Sequence, residues 1–158
     1  MTFQLVDKFY SSFADRDGDA MADCYSASVR FQDPAFGTLY GNDAKDMWRM
    51  LCSSSTDLEM LYTIVDADAT SAHVDWVAVY TFGPKKRTVT NCVSASISIV
   101  DNKIIEHHDS FDSWNWSRQA LGLRGRLLGW SRPFQSKIQE TATGQLKAFQ
   151  QKRQQHAH

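Results

Sequence analysis

The sequence predicts an α+β fold in which helices lie across one face of an antiparallel sheet. Three observations carry this. Residues 2–25 and 42–51 repeat apolar side chains at helical spacing, a strand over 58–66 that is apolar on both faces leads into a stretch, 72–111, that alternates them with short turns between, and the segment after Phe111 returns to helical spacing. With 158 residues, 42% apolar and 22% charged, the chain fits one domain whose core folds unaided.

The elements follow in order. Phe3, Val6, Tyr10 and Phe13, widened by Leu5 and Phe9, make the apolar stripe of a helix over 2–15. DRDGD breaks it, and Ala20, Met21, Cys24 and Tyr25 form one face of a short second helix. SVRFQDP then alternates: Val29, Phe31 and Asp33 share one side of a strand, Arg30 and Gln32 the other. Pro34 has no N–H to give, so pairing loosens there. Asn42 caps a third helix that carries Ala44, Met47, Trp48 and Leu51. Strands follow over 58–66, 72–82 and 88–100. In the last of these, Val89, Asn91, Val93, Ala95, Ile97 and Ile99 face one way, and Ser, Thr and Cys92 the other. Asp101-Asn102 turns tightly into a final strand. Glycines 122, 125 and 129 punctuate what comes next, and a last helix carries Ile138, Ala142, Leu146 and Phe149 before QQKRQQHAH frays.

The net charge of −1 hides an asymmetry. From Ser117 onward there are eight Lys/Arg and one acid, Glu140, so the preceding part carries the balance of −8. Such a tail suits an anionic partner or membrane, and the preferred reading is that it packs on the acidic body of its own or a second subunit. Cys24, Cys52 and Cys92 are widely spread, which reads as buried free thiols in a reducing cytoplasm. MTFQLVDKFYSSF lacks a signal-peptide core, and no apolar run is long enough to span a membrane. The expectation is a cytoplasmic protein with no membrane or nucleic-acid partner. There is no glycine-rich phosphate loop, no Cys-x-x-Cys pair and no nucleophile elbow.

The residues that suggest chemistry lie in IIEHHDSFD, 104–112. On a strand Ile105, His107, Asp109 and Phe111 share one face, and Ile104, Glu106, His108, Ser110 and Asp112 the other. The first set is bounded by Ile105 and Phe111 and reads as the inward face. His107 and Asp109 then stand roughly 6–7 Å apart along the strand, placed to touch one ligand or water. Asp33 ends another apolar strand face and enters the same interior, with Asn91 as an amide contributor. The alternatives are a satisfied core His–Asp pair and an Asx-turn role for Asp33. His107 and His108 face opposite ways and cannot chelate together, so no metal and no other cofactor is expected. The orientation of His73 and Asp75 stays open.

FQDPAFG and NKIIEHHDSFDSWNWSRQALG, in this order of elements, resemble the nuclear transport factor 2-like superfamily. Within it they resemble the SnoaL-like group, with polyketide cyclases, limonene-epoxide hydrolase and ketosteroid isomerase. The resemblance covers about 3–115, within a cone domain of 1–115, and implies three helices and a strongly curved sheet forming a cone around a pocket. Residues 116–158 become a helical extension. It implies catalytic roles for Asp33, which fits the Asp-Pro slot of ketosteroid isomerase, and for Asp109, which matches the last-strand aspartate of the epoxide hydrolase. His107 is similar in type to the pocket histidine of the cyclases. Ala95 stands where the isomerase keeps a neutral acid, and His73-Val74-Asp75 replaces the hydrolase's Arg-x-Asp. The pocket walls implied are Tyr10, Phe31, Phe36, Trp48, Asn91, Ala95 and Phe111. The functions implied are a cofactor-independent acid–base enzyme on a small apolar carbonyl or epoxide compound, or a binding module for such a molecule. A homodimer through the outer sheet face is expected.

Overall fold

A computed structural model describes residues 1–157 of the chain; His158 lies outside the described residues. Helices α1 (Thr2–Ala14) and α2 (Gly18–Cys24) precede strands β1 (Tyr25–Asp33) and β2 (Gly37–Tyr40). Helix α3 (Asn42–Ser54) leads into β3 (Glu59–Ala67), β4 (Ser71–Phe82), β5 (Arg87–Val100) and β6 (Lys103–Ser110), and α4 (Ser113–Leu121), α5 (Leu123–Leu128) and α6 (Arg132–His156) end the chain. The strands form one sheet in the order β2-β1-β6-β5-β4-β3. Every pair is antiparallel except β1 and β6, which run parallel. That one pair brings the first strand beside the last.

The helices lie on the inner face. Val6, Phe9 and Tyr10 of α1, Met21 of α2 and Met47 of α3 are at 0% exposure and share one core with Val29, Phe31, Val74, Ala95, Ile97 and Ile104 of the sheet. Each large side chain buried so completely contributes about 1.5–3 kcal/mol. Register shifts interrupt the ladders of β1, β3 and β5–β6, and such bulges bend a sheet around what it covers.

The β6 bulge corrects the sequence expectation. Ser98 pairs with Glu106 and Ile99 with Ile104, so Ile105 is an extra residue. Ile104 is therefore fully buried and Ile105 only half-buried, while the predicted inward face resumes at His107 and Asp109. Tyr25, expected on a helix face, instead opens β1. Asn42 is the first residue of α3; the cap is Gly41, at φ +54°. Cys24 and Cys52 are buried, but Cys92 is exposed on the outer sheet face. The C-terminal residues expected to fray continue α6 to His156.

The extension is built by close backbone contact. A Cβ on Gly125 would stand 1.9 Å from the Ser117 carbonyl oxygen, so α5 rests on the α4 backbone. Gly125→Ala should force the two apart at a cost of about 3 kcal/mol, read as a lower melting temperature and altered near-UV dichroism of Trp114 and Trp116. Gly144 in α6 meets nothing within 4 Å. Gly144→Ala should stabilise by about 0.5–1 kcal/mol through backbone entropy alone. An unchanged melting point for Gly125→Ala would contradict the close packing.

Helix α4 also finishes the sheet. β6 pairs with β5 only from Ser94 onward, leaving the earlier half of β5 with a bare edge. Gln119 covers it: its Oε1 accepts from Thr90 N at 2.8 Å and its Nε2 donates to Thr90 O at 3.1 Å, as a neighbouring strand residue would. Helix α6 runs back over α3, with Leu146 buried in the core. Gln150 reaches Asp43 and Asp46, and Gln139 donates to Pro34 O at 3.2 Å.

Candidate active site

His107 is the hub of the interior. It is 1% exposed and ringed by Phe9, Tyr10, Tyr25 and Phe31 edge-on, with Trp48 stacked at 14° and 5.9 Å. Both ring nitrogens are partnered. Tyr25 Oη lies 2.7 Å from Nδ1, and Asp109 Oδ1 lies 2.8 Å from Nε2. Tyr10 Oη stands 3.4 Å from the same Nε2. The His107–Asp109 contact is direct, shorter than the strand spacing alone predicts, because the two side chains lean toward each other.

The direction of this chain follows from Trp48. Its indole N–H, which can only donate, reaches Tyr25 Oη at 2.7 Å. The Tyr25 proton can then be donated to His107 Nδ1, and in a neutral imidazole the Nε2–H would donate to Asp109 Oδ1. Trp48, Tyr25, His107 and Asp109 form a one-way relay ending on a carboxyl oxygen. Burial, followed by the Asp109 charge, pushes the phenols of Tyr10 and Tyr25 well above their ordinary range, so both stay neutral.

Asp33 enters from β1. Phe31 pairs in parallel with His107, so Asp33, two residues on, comes level with Asp109. Its Oδ1 accepts from the backbone N–H of Phe36 at 2.6 Å and of Ala35 at 3.0 Å, which is the Asx-type turn read as the alternative. The carboxyl does more than shape that turn. Burial pushes its pKa up to about 7, opposed by the Phe36 N–H, with the Asp109 charge adding to the rise and the Ala35 N–H and His107 offsetting part of it. A carboxyl that titrates near neutrality beside a His–Asp pair suits proton transfer.

The structure distributes the sequence-predicted residues between two layers. Tyr10, Phe31 and Trp48 pack around His107, Ala95 sits directly opposite Asp109, and Phe36 is buried in the same core. Asp33, Asn91 and Phe111 are half-buried, in a layer with access to solvent. Asp109 lies between: its side chain keeps 3% exposure where that of His107 has none. His73 and Asp75, left open by the sequence, both point to the outer face of β4 and take no part.

Sequence reasoning missed Tyr25, Tyr80 and Trp116. Tyr25 stands beyond a register shift in β1, so the alternation seen from Val29 onward does not carry back to it. Tyr80 lies on the inner side of β4, paired with Val89, and accepts from the Trp116 indole N–H at 2.8 Å. Its own hydroxyl hydrogen has no acceptor among the described residues. Burial raises the Tyr80 pKa, the Trp116 bond lowers it, and the Asp33 charge raises it further, which sets this donor within electrostatic reach of Asp33. Trp116 thus ties the C-terminal extension to the site. Among the described residues no cluster of metal-ligating side chains forms.

Comparison with known proteins agrees with this architecture. The family model for the SnoaL-like domain matches residues 6–107. An LEH-like epoxide hydrolase of M. tuberculosis superimposes with a TM-score of 0.59 at 17% identity, over 78% of this chain and 90% of its own. A protein of ketosteroid isomerase-like fold from Catenulispora acidiphila, in complex with trimethylamine, gives 0.65 at 13% identity, over 83% and 99%. The epoxide hydrolase/cyclase-like enzyme SalBIII, of pyran ring formation in the polyether salinomycin, gives 0.62 at 13%, over 70% and 90%. Likeness at these identities shows the fold. No curated protein matches the sequence. The family model spans more than half of the chain, from within α1 to His107 in β6, and the protein belongs to the SnoaL-like, nuclear transport factor 2-like family.

Proposed function

We propose that the protein is a cofactor-independent acid–base enzyme acting on a small apolar carbonyl or epoxide compound. The observation that supports it is the pairing of Asp33, poised at about 7, with the Asp109 end of the Trp48–Tyr25–His107 relay. The two carboxyls sit in environments that set them different tasks. In its neutral form Asp33 donates its proton to the oxygen of an opening epoxide or a polarised carbonyl. Asp109, oriented by His107, takes the proton from an attacking hydroxyl or from the carbon beside the carbonyl. The free Tyr80 hydroxyl adds a donor to the developing oxygen charge. Fold relatives named as hydrolases and cyclases favour the same classes of reaction.

The test probes both compound classes through isotope exchange. Wild-type protein is incubated with cyclic ketones in D2O and with terpenoid epoxides in H2(18)O, and deuterium or 18O incorporation is followed by mass spectrometry. Incorporation is expected, with a rate that depends on a group near pH 7, and Asp33→Asn or Asp109→Asn should each lower it about 100-fold or more. Undiminished rates in both variants contradict the assignment. The second reading, a carrier of hydrophobic ligands, is favoured by one observation: both nitrogens of His107 are already satisfied within the protein. A ligand retained through purification, with no incorporation from any compound, supports that reading.

The same proposal includes a homodimer through the outer sheet face. That face exposes Leu61, Val65 and Val79 beside rows of serine and threonine.

A further inference from the structure

The α4–α5 corner carries an apolar surface that its own chain leaves uncovered. Leu123, Leu127, Leu128 and Trp130 are 70%, 60%, 45% and 71% exposed. The surface is held in shape. The Trp130 indole N–H donates to Leu127 O at 2.9 Å, and that of Trp114 to Arg126 O at 3.1 Å, so both rings are seated on the last turn of α5. Its charge has one sign: residues 113–139 include Arg118, Arg124, Arg126, Arg132 and Lys137 and no acid. Beside the leucines a cleft of about 580 Å³ is lined by Arg87, Arg118 and Arg126 with Thr88, Gln119, Gly122 and Leu123, and no carboxylate enters it.

A second uncovered surface, of opposite charge, lies on the outer face of the sheet. Leu61 pairs across strands with Val77, and Val77 with Cys92. Val79 is the next outward residue of β4, paired with Glu59 on one side and Thr90 on the other, and Asp75 follows at the far end. This apolar patch is therefore rimmed by two acids, Glu59 and Asp75, both exposed.

We infer that the α4–α5 corner docks on the outer sheet patch of a second copy of this chain. Two corners would repel each other by charge, whereas corner and patch are complementary in both charge and apolarity. A two-fold axis satisfies both contacts at once, since each copy offers one of each. The partner's rim carboxylates then meet the arginine cleft. This rests on the homodimer proposed above and adds a contact that sheet-to-sheet packing alone does not require.

The test is sedimentation velocity on the full chain at micromolar concentration, with circular dichroism confirming that each variant folds. Wild type should be a dimer. Leu127→Asp with Trp130→Asp, and separately Arg124→Glu with Arg126→Glu, should be monomeric, as should Leu61→Asp with Val79→Asp. An equimolar mixture of the Leu127/Trp130 and Leu61/Val79 variants should regain dimer, because one of its two contacts is wholly native. A monomeric wild type overturns the dimer itself. Corner variants of both kinds that stay dimeric, or a mixture that stays monomeric, overturn the corner-on-sheet contact alone. Monomeric wild type that sediments with vesicles rich in phosphatidylserine assigns the corner to a membrane surface instead.

Discussion

His107→Ala should destabilise the protein by about 4–5 kcal/mol, the largest effect expected of any single substitution in the interior. Two losses combine. Removing the ring opens a cavity among Phe9, Tyr10, Tyr25, Phe31 and Trp48, which relax only in part. It also strands the Tyr25 hydroxyl and the Asp109 carboxyl in a nearly dry interior, and leaving such buried partners unpaired costs about 2–3 kcal/mol. His107→Phe separates the two terms. The phenyl ring refills the space but offers neither nitrogen, so the remaining cost, about 2–3 kcal/mol, measures the lost hydrogen bonds. Urea unfolding of the three proteins gives both numbers. At about 2–4 °C per kcal/mol for a chain of this size, the alanine variant should melt roughly 10–15 °C lower. If phenylalanine were fully tolerated, the relay would contribute nothing to folding.

Asp33→Asn should stabilise the protein at pH 8 by about 2–4 kcal/mol while leaving it almost unchanged at pH 4. The folded carboxyl holds its proton up to about 7, whereas in the unfolded chain it ionises near 4. Between those values the folded state binds more protons, so raising the pH through this window removes stability, and above about 7 the loss is complete. The lower end of the range applies because the side chain is not fully buried and keeps some of its hydration. Asparagine retains the Oδ1 that accepts from Ala35 and Phe36, so the turn survives and only the titration is lost. Wild-type and variant stabilities that run parallel from pH 4 to 8 would contradict the raised pKa. The stability given up at neutral pH is what a carboxyl in an apolar setting entails, and under the proposed reaction the variant's expected loss of activity is the other side of the same property.

Much of this was legible in the chain. The period-2 alternation of β5 and of residues 107–111 fixed which side chains of the last strand turn inward, because the pleat leaves no third choice. Asp33, His107 and Asp109 came together for that reason. The pattern failed where the backbone leaves the pleat. At Ile104–Ile105 a bulge inserts a residue, and nothing in two adjacent isoleucines marks which of them is the extra one. Tyr25 was lost to the helix because it continues the spacing of Met21 and Cys24, while the strand claims it only through a parallel partner in β6. The direct His107–Asp109 bond depends on side-chain torsions, which strand geometry does not specify. Tyr80 on β4 and Trp116 on α4 are separated in sequence by β5 and β6, and no local pattern foretells such a contact.

The extension shows how a common fold gains a particular site. Gln119 closes the open edge of β5, Gln139 braces the turn that Asp33 shapes, and Trp116 fixes the direction of the Tyr80 hydroxyl. Three side chains from outside the family-matched region thus bear on the layer of the site that solvent reaches.

The most direct measurement is of Asp33 itself. Carbon-13 NMR of the aspartate carboxyls, with the Asp33→Asn spectrum to assign the resonance, should show a titration with its midpoint near pH 7 in the wild-type protein. A midpoint near 4 would mean that the cone does not tune this carboxyl, and the acid–base role given to it would fall.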